Sequence, residues 1–374
     1  MTWKFFLFTC LLGLGLPFAI SLPAQANNVT ISNLSGRVEV KGQFSLFWGR
    51  ARRYQELSPN HRVRVGNQSF VTITCLDANA NWMTWTISAG EAQMSDRCAP
   101  RVFPSRSTGP TRSPIDENRP YIITPRNTAL LPGSIDIAWS GVPNANTYRV
   151  RIRGLGGFSW ESDRLTATTA QYTESLETGR TYEITVETDR GLLSNPSGSV
   201  PPTFRILTEA EVSRVNQELA QIEALALDPT AHTLAIAQAY RNHNLNQNAI
   251  AVLTTQIQSG TQSAAVYQLQ GSIYEQIGLT RQAREQYNRA LGLTDADDLE
   301  QQANLQERLG LVARSVANYA EAVIWLQAAE ANYRQLLDAS LPEVQQQLQS
   351  LKRLLEDSQS RLPASALERQ STAP

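Results

Sequence analysis

Tyr240 and Tyr274, Ala249 and Ala283, and Leu253 and Tyr287 each stand 34 residues apart. They lie in a stretch, from Thr208 onward, in which Ala, Leu, Gln and Glu fall at helical spacing. A period of this length holds two helices and their turns. Such a pair cannot bury its apolar face alone, so about three units must stack. Small residues are needed where paired helices touch, and Ala237, Gly271 and Gly310 occupy that place, with Ala249, Ala283 and Ala322 at a second close contact. Ala322 follows Ala283 by 39 residues rather than 34, and the acidic insert Asp295-Ala296-Asp297-Asp298 accounts for the difference. Thr208 and Glu211 have the spacing of a capping box, and helices over 209–227 and 342–362 are expected to cover the ends of the array.

These small and aromatic positions resemble the tetratricopeptide repeat (TPR) family over three units, about a hundred residues. The resemblance implies a solenoid whose first helices line a groove for a peptide or a partner helix. The matching positions are Gln238, Arg241 and Asn242, then Gln268, Ser272, Glu275 and Gln276, then Glu307, Leu311 and Arg314. Their mixed polarity suits an extended peptide read through hydrogen bonds and alternating charge. The two-lysine carboxylate clamp of chaperone-binding relatives is not among them. A solvated helix face also needs polar residues, and that second reading stays open.

At the other end, Lys4, the apolar run from Phe5 to Leu16 and the small-x-small site Ala24-Gln25-Ala26 read as an export signal over residues 1–26. Pro17 and Pro23 interrupt the stretch, which falls short of the roughly 20 apolar residues of a membrane helix. A periplasmic or extracellular location is expected, with no membrane span in the mature chain. Removal of the signal takes Cys10 with it and leaves Cys75 and Cys98 in a compartment where disulfides persist. A bridge between them is expected to add about 3 kcal/mol by loop closure. The alternative is two buried thiols.

Residues 27–98 alternate with period two in short runs, Val29 to Ile31, Val38 to Val40, Val63 to Val65 and Phe70 to Cys75, and predict an all-β domain. The stretches GRVEV and ELSPNHRVRVGNQSFVTITC resemble the FecR-like domain. That family's relay role needs a membrane helix, for which no apolar stretch after Ala26 suffices. Residues 99–119, rich in Pro, Ser, Thr and Gly, read as a linker. Over 120–207 a second set of strands, seven by count, predicts a β-sandwich. The segments IDIAWSGVPNANTYRVRIRG and LETGRTYEITVET resemble a fibronectin type III domain, with Trp139 as core tryptophan and Leu176, Gly179 and Tyr182 as its corner. The expected architecture is thus multidomain: an all-β N-terminal domain, a β-sandwich middle domain, an all-α TPR-like solenoid over 208–362, and a disordered tail over 363–374.

A net charge of -1 excludes the basic excess of a general nucleic-acid binder. Residues 27–119 nevertheless carry 12 Lys/Arg against 7 Asp/Glu, while residues 208–374 carry 12 against 19. Arg50, Arg52, Arg53, Arg62 and Arg64 form the densest basic patch, readable either as a solvated strand face or as a dock for an anionic polymer. Asp295, Asp297, Asp298 and Glu300 lack the spacing of a calcium loop and read as acids favoured at a helix start. His61, His232 and His243 read as surface or loop residues, and no nucleophile, metal-ligand or phosphate-loop motif is present. Gly154 to Gly157 reads as a hairpin turn. A non-enzymatic exported adaptor without cofactor, binding a protein or peptide in the groove, is the expectation. The alternative is an envelope-ligand binder that takes cell-wall glycan or anionic lipid on the basic front domain.

Overall fold

The computed structural model describes residues 29–42, 48–58, 60–76, 82–98, 118–154, 157–195, 199, 201–336 and 342–362. The export signal, nearly all of the 99–119 linker and the 363–374 tail lie outside the described residues.

The front region holds β1 (Val29–Ser35), β2 (Val38–Lys41), β3 (Gly49–Arg50), β4 (Glu56–Leu57), β5 (Arg62–Val65), β6 (Phe70–Leu76), β7 (Trp82–Ile87) and β8 (Gly90–Gln93). They form two sheets, ordered β4-β1-β6-β7 and β3-β2-β5-β8. Alternation does the sorting. Val38, Val40, Val63 and Val65 turn inward while Arg62 and Arg64 face out, and Ile31, Val71, Ile73 and Met94 complete a core of their own. Cys75 and Cys98 are bonded, with Sγ atoms 2.08 Å apart, and both are buried in that core. The strands β3, β4, β7 and β8 were not legible from alternation: two are only two residues long, and β8 carries no inward apolar row.

The middle region contains eight strands among the described residues: β9 (Ile122–Thr124), β10 (Thr128–Leu130), β11 (Ile135–Trp139), β12 (Tyr148–Gly154), β13 (Ser159–Glu161), β14 (Thr169–Tyr172), β15 (Thr181–Thr188) and β16 (Thr203–Ile206). Sheets β10-β16-β15-β12-β13 and β14-β11-β9 share one core, which includes Trp139, Tyr148, Ile152, Tyr182 and Phe204. Trp139 packs edge-on against Tyr148 at 5.6 Å. The Tyr182 hydroxyl accepts a bond from the Glu177 N–H at 2.9 Å, and the Gly179 N–H reaches the Ile206 carbonyl at 2.8 Å, which fixes the turn before β15. Beyond Gly154 the chain doubles back from β12 into β13, as the hairpin expectation requires.

Thereafter the described chain is helical: α1 (Glu209–Glu223), α2 (Pro229–Asn242), α3 (Asn246–Gln258), α4 (Ala264–Ile277), α5 (Thr280–Gly292), α6 (Leu299–Ser315), α7 (Tyr319–Leu336) and α8 (Pro342–Ser360). Thr208 and Glu211 cap α1 reciprocally, Asp228 caps α2 with Pro229 at its first position, and Asp298 caps α6. Three pairs result: α2 with α3, α4 with α5, α6 with α7. A Cβ on Gly271 would stand 2.9 Å from the Tyr287 ring, and one on Gly310 would stand 2.7 Å from Leu326 Cγ. The small residue of each first helix thus meets the large residue sixteen positions later on its own second helix, Leu253 for Ala237, Tyr287 for Gly271 and Leu326 for Gly310. Only one residue of the third unit's five-residue offset lies in the loop before α6, where the sequence placed all of it; the other four lengthen α6 at its N-terminal end by about one turn, and the pairing inside the unit is unchanged.

Candidate interaction surface on the helical repeats

The first helices are α2, α4 and α6. Counting by 34 sets Leu234 on Gln268, Gln238 on Ser272, Arg241 on Glu275 and Asn242 on Gln276, so these side chains form rows that run from one unit to the next. The rows are bonded. Arg241 Nε donates to Gln276 Oε1 at 3.2 Å across the first two units, and Gln268 bonds Gln301 across the next two. Gln238, buried, donates to Asn242, which donates to Glu218 on α1 at 3.2 Å. Ser272 Oγ donates to its own helix at the Leu269 carbonyl, 2.8 Å away.

Deeper in, Glu275 accepts from the Tyr287 hydroxyl at 2.6 Å and lies 3.9 Å from Arg308. Glu307 accepts from the Tyr333 hydroxyl at 3.2 Å. Burial pushes both tyrosine hydroxyls well above their ordinary range, so they remain donors at any physiological pH. Arg314 differs from the rest. Its guanidinium reaches α8, at the Leu354 carbonyl (2.7 Å), Asp357 (2.7 Å) and Ser358, and it fastens the terminal helix. Of the residues expected to line a groove, Glu275, Glu307 and Arg314 therefore also hold the solenoid together, while Arg241 and Gln276 meet across the joint between the first two units.

Both β regions seat on this array, at opposite ends of the first helices. The middle region takes the C-terminal ends. Arg126 Nε donates to the Ile277 carbonyl at 2.9 Å, Asn127 Nδ2 to the same oxygen at 3.3 Å, and the Tyr121 hydroxyl to the Gly278 carbonyl. One unit earlier, the Ala129 N–H and Thr128 Oγ1 donate to the Asn244 carbonyl at 2.8 and 3.0 Å. Carbonyls at a helix end lack partners within the helix and carry partial negative charge, which suits an arginine. Ala129 and Leu207 are buried together with Val215 and Leu245, so an apolar seam backs these bonds.

The front region takes the N-terminal ends. Arg52 presents Nε to Asp295 at 2.5 Å, NH2 to Asp297 at 2.6 Å and NH1 to Asp298 at 2.9 Å. Burial holds the Asp298 carboxyl above its ordinary value, against the opposing pull of Arg52. The Tyr54 hydroxyl donates to Asp228 Oδ1 at 2.6 Å, and its ring packs on the cluster of Leu234, Ala237, Ala265 and Leu269. His61 lies in the loop before β5, one half of the expectation of a surface or loop residue, but it is buried rather than at the surface. It is 7% exposed, bonded through Nδ1 to Ser58, with Nε2 at 3.3 Å from Glu300. His232 and His243 are part-exposed beside Glu223 and Glu218.

The basic patch also dissolves into separate contacts. Arg62 and Arg64 share Glu91, Arg53 donates to Asn33, and Arg52 serves the acidic insert. The charge asymmetry between the two ends of the chain was the one sequence signal of this contact. Tyr54, His61, Arg126 and Asn127 carried none. Among the described residues no group of three or more His, Cys, Asp or Glu is placed to hold a metal ion, and no helix is long and apolar enough to cross a membrane.

No family model matches the chain. No curated protein matches it either. Similar solved structures include the TPR2B domain of yeast Sti1 in a pHsp70 complex, 15% identical, covering 36% of this chain and 98% of that one with a TM-score of 0.30. The Sgt2 TPR domain from Aspergillus fumigatus is 16% identical over 38% of this chain and 83% of that one, with a TM-score of 0.28. The Yersinia enterocolitica type III secretion translocator chaperone SycD is 14% identical over 40% and 92%, with a TM-score of 0.29.

Proposed function

We propose that this chain is an exported, periplasmic or extracellular adaptor that binds a protein or peptide partner across the first helices of a TPR-type array. A FecR-like front domain and a fibronectin III-like middle domain flank the array. The observation that carries this reading is that the polar side chains of these rows are already held: Arg241 by Gln276, Asn242 by Glu218, Ser272 by the Leu269 carbonyl and Glu275 by Tyr287. Groups already held by one another need little further ordering when a peptide arrives, so less binding energy is lost to immobilising them. The test is a pull-down from envelope extract with residues 27–374, run beside Arg241→Ala/Gln276→Ala. A protein retained by the first and lost by the second, at equal thermal stability, supports the groove; equal retention rejects it.

A second reading keeps the envelope ligand at the front. A cleft of about 430 Å³ is lined by Gly36, Arg37, Val38, Glu39 and Arg50. Arg37 is exposed beside Glu39, and Arg50 makes no ion pair among the described residues. On this reading, Arg37→Glu/Arg50→Glu abolishes co-sedimentation with anionic vesicles or cell-wall polymer, and unchanged sedimentation removes it.

A further inference from the structure

We propose that the front β region is an intrachain cover over the Gln268 end of the groove, latched at the N-terminal ends of α2 and α6, and that a partner gains the full length of the surface by displacing it. This rests on the groove reading above and adds its regulation.

Three contacts place the cover. Each nitrogen of the Arg52 guanidinium meets a different carboxylate, and all three carboxylates belong to the loop between α5 and α6, whose counterpart between α3 and α4 carries no acid. The acidic loop is therefore a socket for Arg52. Tyr54 reaches the first unit, and the cluster it packs on contains Leu234, which by the 34-residue count shares a row with the groove position Gln268. His61 faces Glu300 between these points. Strand β1 lies beside α2, and β7 beside α1.

The two β regions are held differently. The middle region shares a buried apolar cluster with α1 and the start of α3 and donates directly to helix-end carbonyls, so parting it exposes core. The front region keeps its core to itself, around its own disulfide. Among the described residues Tyr54 alone joins an apolar cluster of the solenoid; the named side-chain contacts besides are ion pairs and hydrogen bonds. Asp295 and Asp297 are largely exposed, in the range where salt screens such pairs. Release leaves both parts folded. Asp228 and Asp298 keep their second task as caps of α2 and α6 whether or not the latch is closed.

An open form populated at 0.1–10% lowers a partner's apparent affinity by that fraction, so opening the latch raises it about tenfold or more. The experiment uses residues 27–374 as wild type, as Arg52→Glu, and as the reciprocal swap Arg52→Glu/Asp295→Arg/Asp297→Arg. Two quantities are read: the radius of gyration by small-angle scattering without any partner, and recovery of the protein that Arg241→Ala/Gln276→Ala loses. The expected result is a larger radius and roughly tenfold higher recovery for Arg52→Glu, both returned toward wild type by the swap. An unchanged radius overturns the latch. A larger radius with recovery unchanged overturns the competition. If no chain recovers a groove-dependent protein, the groove reading fails and this one with it, while the radius still reports the docking.

Discussion

Arg205 and Glu211 form a two-pronged ion pair, NH1 to Oε2 at 2.9 Å and NH2 to Oε1 at 2.8 Å, between the last strand of the middle region and the first turn of α1. The same carboxylate accepts the Thr208 N–H of the capping box at 2.9 Å. First the Arg205 bond and then the Thr208 N–H pull the Glu211 carboxyl from its ordinary 4.5 down to about 2.

A depressed carboxylate stabilises the fold above its unfolded pKa and loses that contribution as pH falls toward the folded value. The window here runs from about 4.5 down to about 2. Glu211 is about a quarter exposed, so solvent screening reduces the contribution to about 1–2 kcal/mol. Urea unfolding of wild type and Glu211→Gln should therefore differ by that amount at pH 7 and converge near pH 2. A pH-independent gap would mean the carboxylate's charge is not the cause.

Gly271→Ala and Gly310→Ala should each lower stability by about 1–2 kcal/mol, because overpacking against Tyr287 or Leu326 outweighs the roughly 1 kcal/mol that alanine gains in a helix. Gly292→Ala is the control. Nothing lies within 4 Å of its Cβ, and it should be neutral or mildly stabilising. Thermal melts of the three variants check the ranking.

Replacing both Cys75 and Cys98 by Ser opens a loop of 23 residues and should cost about 3 kcal/mol, confined to the front region. Hydrogen exchange should quicken in β1, β5 and β6 and stay unchanged in α4 and α5. Uniform loss of protection along the chain would show that the front region is not a separate cooperative unit.

The turn residues Asn244, Gly278 and Ala317 all have left-handed φ, of 60°, 84° and 59°. Only Ala317 has a Cβ without the local polar compensation of asparagine. Ala317→Gly should stabilise the chain by about 0.5–1 kcal/mol, read as a higher midpoint in chemical unfolding.

The helical pairs and their touching residues were legible because burial repeats: Gly271 and Gly310 stand out wherever the sequence is laid against itself. The inward rows Val38/Val40 and Val63/Val65 were legible for the same reason, with a period of two. The seating of the β regions was not. Arg52 meets Asp295 across 243 residues and Arg126 meets Ile277 across 151, through loops and helix ends that carry no period. The basic patch and the acidic insert each had a sufficient local explanation, so neither pointed to the other. The candidate rows were legible as positions through Arg241 and Glu275, but their mutual bonds were not, since a polar face looks the same in sequence whether its side chains face water or one another.

Asn244 and Gly278 occupy the same place in consecutive repeats, and one short stretch of the middle region, Tyr121 to Ala129, bonds the carbonyls of both. The spacing of the first two repeats is thereby gauged from outside, by the middle region, rather than left to helix packing alone. Among the described residues, none of those bonds goes to the corresponding residue of the third unit, Ala317. The joint between α5 and α6 is instead spanned by the front region, whose Arg52 meets the loop before α6 and whose Tyr54 meets Asp228 before α2, so each β region gauges a different interval of the array.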